Sequence, residues 1–87
     1  MKKFSLGEIK KTVLNIKKQL PYNDNVTIKF IVIDEEYVEV LIAIKNVDYE
    51  VIKIDFIGLF DLYSINDWIK FKISDRLNIM LKNYIIK

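Results

Sequence analysis

The sequence predicts an α+β domain of two layers, in the order α-β-β-β-α, with a three-stranded antiparallel sheet packed by helices. Three observations predict it. Residues 5–20 repeat apolar side chains at helical spacing behind a helix-start signal. Between Val26 and Phe56 three stretches, 26–32, 38–44 and 52–56, take a period of two, with aliphatic or aromatic residues at their even positions. Beyond residue 64 the spacing is helical again. At 87 residues the chain makes one domain, 1–87, able to bury a core but with little surplus stability.

The first helix opens on Ser5-Leu6-Gly7-Glu8, the pattern of a capping box. Leu6, Ile9, Val13, Ile16 and Leu20 form its apolar stripe, and Lys10, Lys11, Lys17 and Lys18, with Lys3, lie beside and opposite it. Pro21 holds Leu20 out of helical geometry and ends the element. A loop over Tyr22-Asn23-Asp24-Asn25 leads into the sheet.

Three strands follow. Val26, Ile28, Phe30 and Val32 mark the first; Val38, Val40, Ile42 and Ile44 the second; Ile52, Ile54 and Phe56 the third. Residues opposite one another in an antiparallel pair share a face, so the even sets must meet. A two-residue turn at Glu35-Glu36 would pair 34 with 37 and drive one apolar set into water. A loop of three or five residues is therefore expected, pairing 32 with 38, 30 with 40 and 28 with 42. By the same parity Asn46-Val47-Asp48 closes the second hairpin, pairing 44 with 50, 42 with 52 and 40 with 54.

Ser64-Ile65-Asn66-Asp67 reads as a helix start, followed by the stripe Ile69, Ile73, Leu77, Met80, Leu81 and Tyr84. The expected helix runs from about 65 to 86, with Ser74 a point where it could break. Trp68 to Ile73 also alternates, which makes a fourth strand the competing reading.

Charge is segregated. Residues 1–33 carry seven lysines against two acids, net +5; residues 34–67 carry nine acids against two lysines, net −7; residues 68–87 carry five bases against one acid, net +4. The chain has no Cys and no His, which removes disulfides, thiolate nucleophiles and the commonest general base and transition-metal ligand. No Gly-rich phosphate loop or nucleophile elbow is present. The expectation is a non-enzymatic protein with no cofactor and no metal site. No apolar run approaches the roughly 20 residues of a membrane span, and a cytoplasmic protein is expected.

Two surfaces stand out. The first is an acidic corner: Asp34, Glu35 and Glu36 at the first hairpin tip, with Glu39 and Asp55 as cross-strand neighbours at the same end and Tyr37 nearby. On the odd face of the sheet Ile31 and Ile33 join Tyr37, Leu41, Val51 and Ile57. The plain reading is a solvated turn with Lys29 and Lys53 as counter-charges. The functional reading is a negative, apolar-anchored surface that docks on a basic groove of a protein partner, and a homodimer through the odd sheet face is a further arrangement this surface allows. The second surface is the lysine face of helix one, Lys10, Lys11, Lys17 and Lys18. Its plain reading is a solvated helix face; its functional reading is contact with nucleic-acid phosphates. Base-specific readout favours arginine, and the chain has one, Arg76.

The order α-β-β-β-α resembles the double-stranded-RNA-binding domain. The first strand connection is Asp34-Glu35-Glu36 where that family has a Gly-Pro-His-type loop, and Ser64 to Asp67 lacks the lysines that open its last helix. The same order, with the acidic segment Asp34 to Asp67, is similar to some small phage-encoded anti-CRISPR proteins. That resemblance implies an inhibitor that presents an acidic sheet edge to the nucleic-acid site of a host enzyme. The expected function is therefore a protein-binding inhibitor of phage or mobile-element origin, with Asp34, Glu35, Glu36, Glu39 and Asp55 steering the encounter and Tyr37, Ile31 and Ile33 as the apolar anchor. A nucleic-acid-binding module using the helix-one lysines is the alternative.

Overall fold

The computed structural model describes residues 4–20 and 24–86, with side chains described through Lys82. The expectations placed on Lys3, Pro21, Tyr22, Asn23 and the side chain of Tyr84 lie outside the described residues. The element order is α1 (Leu6–Gln19), β1 (Val26–Ile33), β2 (Tyr37–Ile44), β3 (Asp48–Asp55) and α2 (Leu62–Ile86). The three strands form one antiparallel sheet in the order β1-β2-β3.

Helix α1 begins as its sequence dictates. The Ser5 hydroxyl accepts from the Glu8 backbone N–H at 3.2 Å, and the Glu8 carboxylate accepts from the Ser5 N–H at 3.0 Å, so two otherwise orphaned donors are satisfied. Leu20 turns extended at φ −73°, ψ 127°, and the helix stops there.

Both helices pack on the even face of the sheet. Ile9, Val13, Ile16 and Leu20 of the α1 segment and Ile65, Ile69, Ile73 and Met80 of α2 close over Val26, Ile28, Val38, Val40, Ile42, Ile44, Ile54 and Phe56. Each fully buried aliphatic contributes about 1.5–3 kcal/mol against leaving it in water.

The hairpins depart from expectation in an instructive way. Asp34 donates its N–H to the Tyr37 carbonyl at 2.9 Å, so the first turn is the two-residue loop Glu35-Glu36. The parity conflict this creates is resolved inside β1. Phe30 pairs with Val40, but Val32 pairs with Glu39 and Ile33 with Val38, leaving Ile31 as the extra residue of a bulge. The pairs 30–40 and 28–42 are as expected; the expected 32–38 pair is replaced. Past the bulge, Val32 lies on the odd face and Ile33 packs against the core.

In the second hairpin the loop is Lys45-Asn46-Val47, and Ile44 pairs with Asp48, Ile42 with Glu50, Val40 with Ile52 and Val38 with Ile54. The parity is as expected, but the register sits two residues away from the expected one. The reason is Asn46, which takes φ 62° at the loop centre. Asparagine enters this left-handed region more easily than the β-branched Val47, which the expected register would place there.

Helix α2 is continuous through Ser74, and residues 68–73 are helical. It starts before the expected Ser64 because Asp61 supplies the cap: its carboxylate accepts from the Ser64 N–H at 2.7 Å and the Ser64 hydroxyl at 3.0 Å. Gly58 at φ 85° makes the turn from β3 to α2, closed by the Leu59 N–H to Phe56 carbonyl bond at 3.0 Å.

Two stability outcomes follow. A Cβ at residue 58 meets nothing within 4 Å, so Gly58→Ala carries backbone strain alone and costs about 1–2 kcal/mol by denaturant melt. Ile69→Ala opens a cavity in the fully buried centre and costs about 2–5 kcal/mol, a large part of what holds so small a domain together.

Candidate docking surface on the sheet

The odd face of the sheet has no helix over it, since α1 and α2 both lie on the even face. Its residues fall in cross-strand rows. Thr27, Ala43 and Tyr49 form the first; Lys29, Leu41 and Val51 the second; Val32, Glu39 and Lys53 the third; Tyr37 and Asp55 the last. Tyr49 is 69% exposed, Val51 51% and Ile57, just past β3, 86%. A stretch of apolar side chains therefore faces solvent along the sheet and ends in a negative margin.

That margin is built by the first hairpin and the end of β3. Glu35 and Glu36 are exposed at the tip, and Asp55 is exposed opposite Tyr37. The Phe56 N–H donates to the Glu36 carbonyl at 2.9 Å, which ties the tip to the β3–α2 connection. Asp34 is half-buried, and its carboxylate accepts from the Glu36 N–H at 3.2 Å, so it shapes the turn as well as charging it.

Glu39 and Asp55, expected as direct cross-strand neighbours, are not paired. The register sets Lys53 opposite Glu39 and Asp55 opposite Tyr37, so the two acids are diagonal neighbours on one face. The like-charge opposition expected of them is replaced by an opposite-charge pairing. Lys53 also places its ammonium 4.4 Å from the centre of the Tyr37 ring, a cation–π contact. Ile31 is exposed at the bulge, as an anchor requires, whereas Ile33 is turned inward by the same bulge and cannot serve as one. Val32 and Tyr49 are the apolar members that sequence reasoning missed. Val32 reaches this face only through the bulge, whereas Tyr49 lies on it by parity and the observed register sets it opposite Ala43.

The connection into α2 adds Phe60 and Tyr63, both strongly exposed. Trp68, in contrast, is half-buried and pins α2 to the sheet, its indole N–H donating to the Asp55 carbonyl at 3.1 Å. The single arginine acts in the same way at the other side of the core. Arg76 of α2 donates Nε and a terminal nitrogen to the two carboxylate oxygens of Glu50, at 2.5 and 3.1 Å. That hydrogen bond, then the charge of Glu50, raises the guanidinium pKa further above its ordinary value. A raised cation contributes below its unfolded pKa and loses that contribution only as pH climbs through the folded one, so this arginine stays charged across the working range.

The lysines of the second candidate surface, Lys10, Lys11, Lys17 and Lys18, all lie exposed on α1. Among the described residues no group of three or more acids comes together as a metal site, and no helix is long and apolar enough to cross a membrane. Comparison with protein-family models, with curated proteins and with solved structures finds no match.

Arg76→Lys keeps the charge and loses the two-pronged fork, so it lowers the melting temperature at neutral pH; an unchanged melt would show that the fork geometry contributes nothing. Lys53→Ala removes the counter-charge of Glu39 and the contact to Tyr37, and costs about 0.5–1 kcal/mol at low salt, with a smaller effect at high salt.

Proposed function

We propose that this protein is a non-enzymatic binding protein that inhibits a nucleic-acid-handling enzyme by covering that enzyme's basic groove with its own acidic sheet margin. The observation that carries the reading is the uncovered odd face, whose apolar rows run into the cluster Glu35, Glu36, Asp55 and the flanking Asp34 and Glu39. Carboxylates at such a margin steer a positively charged partner and mimic the spacing of phosphates only coarsely. Affinity must then come from an apolar centre, here Ile31, Val32, Tyr37 and Ile57. The small size and the α-β-β-β-α order fit the resemblance to phage-encoded inhibitors, and a phage or mobile-element origin is the concrete form of the proposal.

The alternative is direct nucleic-acid binding through Lys10, Lys11, Lys17 and Lys18. It is favoured by their common exposure on one helix. It is disfavoured by the lack of arginine forks for base readout.

A capture experiment from the source host, followed by mass spectrometry and competition with duplex DNA, tests the leading reading. A nucleic-acid enzyme retained by the native chain, displaced by DNA and lost with Glu35→Lys, Glu36→Lys and Asp55→Lys is the expected result. Retention of the same enzyme by the charge-reversed chain overturns it. In a gel shift the native chain leaves duplex DNA, duplex RNA and single strands unshifted; a shift abolished by Lys10→Glu, Lys11→Glu, Lys17→Glu and Lys18→Glu establishes the alternative instead.

A further inference from the structure

The outer surface of the helix layer, on the opposite side of the molecule from the odd sheet face, carries its own pattern. On α1, Leu14 is 56% exposed although no core position calls for it. Its neighbours at three and four residues before and after are Lys10, Lys11, Lys17 and Lys18, so one apolar side chain sits inside a ring of lysines.

Helix α2, packed beside α1, shows the same design with the opposite sign. Phe71 is 58% exposed. Asp67 and Asp75, four residues before and after it, are both exposed and fall on the same helical face. The two lysines beside Phe71 in sequence lie off that helical face and meet partners within the chain, as does Arg76. Lys70 donates to the Gln19 side chain at 3.1 Å, Lys72 lies 4.7 Å from the centre of the Trp68 ring, and Arg76 holds Glu50. The outward surface of α2 between Asp61 and Asp75 is thus apolar at the centre and negative at the rim.

We infer that this helix layer is the interface of a homodimer, in which the lysine-ringed Leu14 face of α1 docks on the Asp67–Phe71–Asp75 face of α2 from a second copy, and reciprocally. Two unlike faces lying side by side are self-complementary under a twofold axis that runs between the two helices: each α1 then covers the partner's α2. The occupant is a second copy because the chain itself supplies both halves of the match, apolar centre to apolar centre and positive rim to negative rim. The sheet face carries no such separation, since Lys29, Glu39, Lys53 and Asp55 bring both signs onto it. The inference is independent of the proposed function, and it leaves the odd sheet face of both copies free.

Sedimentation equilibrium with the full chain tests it. The native protein is expected to dimerise at about 20 mM salt and to dissociate progressively toward about 500 mM. Lys10→Glu, Lys11→Glu and Lys18→Glu in one variant, and Asp67→Lys and Asp75→Lys in another, should each be monomeric. An equimolar mixture of the two variants should form a one-to-one heterodimer, because both contacts are complementary again. Leu14→Ala, which leaves the charges and the core intact, and Phe71→Ala, which also loses its stack on Trp68, should each weaken the dimer by about tenfold or more. Circular dichroism melts confirm that each variant is folded. A native chain that stays monomeric at low salt, or folded reversal variants that dimerise as well as it does, overturns the proposal, as does a mixture that remains monomeric.

Discussion

The rest of the structure depends on keeping one face of β2 dry. Val38, Val40, Ile42 and Ile44 are almost wholly removed from water, and they occupy the central strand, so both neighbours must present apolar residues on the same side. A slip of one residue in either pairing would bring polar or charged side chains under the helices. The cost of such a slip is several buried aliphatics at once, far beyond the preference of any turn for its own geometry. The buried face of β2 is therefore kept, whichever element has to adjust around it. The two-residue loop at Glu35-Glu36 is accommodated by a bulge at Ile31, and the second loop centres on Asn46 with its parity intact.

The helices answer to the same face. Their stripes of isoleucine meet it, and their polar contacts fix where each helix lies. The Trp68 indole on the Asp55 carbonyl and the Arg76 fork on Glu50 attach α2 to β3 at two heights. Because Glu50 stands on the covered side of the sheet at its rim, a carboxylate there needs a partner, and the one arginine of the chain reaches it. The consequence for function is a division of surfaces. One side of the sheet is given to the core, the other is left open, and the outward sides of the helices form a third surface of separated charge.

Much of the fold was legible in the sequence because it rests on periodicity. The capping box at Ser5 and Glu8, the parity of the strands and the stripe through Ile69, Ile73 and Met80 all lie in short-range spacing. What was not legible depends on competition between local and long-range terms. Nothing near Ile31 marks a bulge; it arises from the conflict between a tight turn thirty-four residues into the chain and the burial of β2. The shift of the second register follows from one left-handed asparagine, and the earlier start of α2 from Asp61 outcompeting Ser64 as a cap. These displacements carry through to the candidate site. They separate Glu39 from direct opposition to Asp55, turn Ile33 inward and bring Val32 outward. The acidic margin itself was readable, because consecutive carboxylates at a hairpin tip have nowhere to go but out.

The bulge has a consequence beyond register. A sheet of three strands leaves β1 at its rim, and a rim strand with a regular ladder of free amides and carbonyls invites another chain to extend it. At Ile31 the spacing of those groups is interrupted and the strand coils more sharply, so an incoming strand cannot stay in step along its length. The residue that reconciles the tight turn with the core thus also guards an isoleucine- and valine-rich segment, Val26–Ile33, against uncontrolled polymerisation.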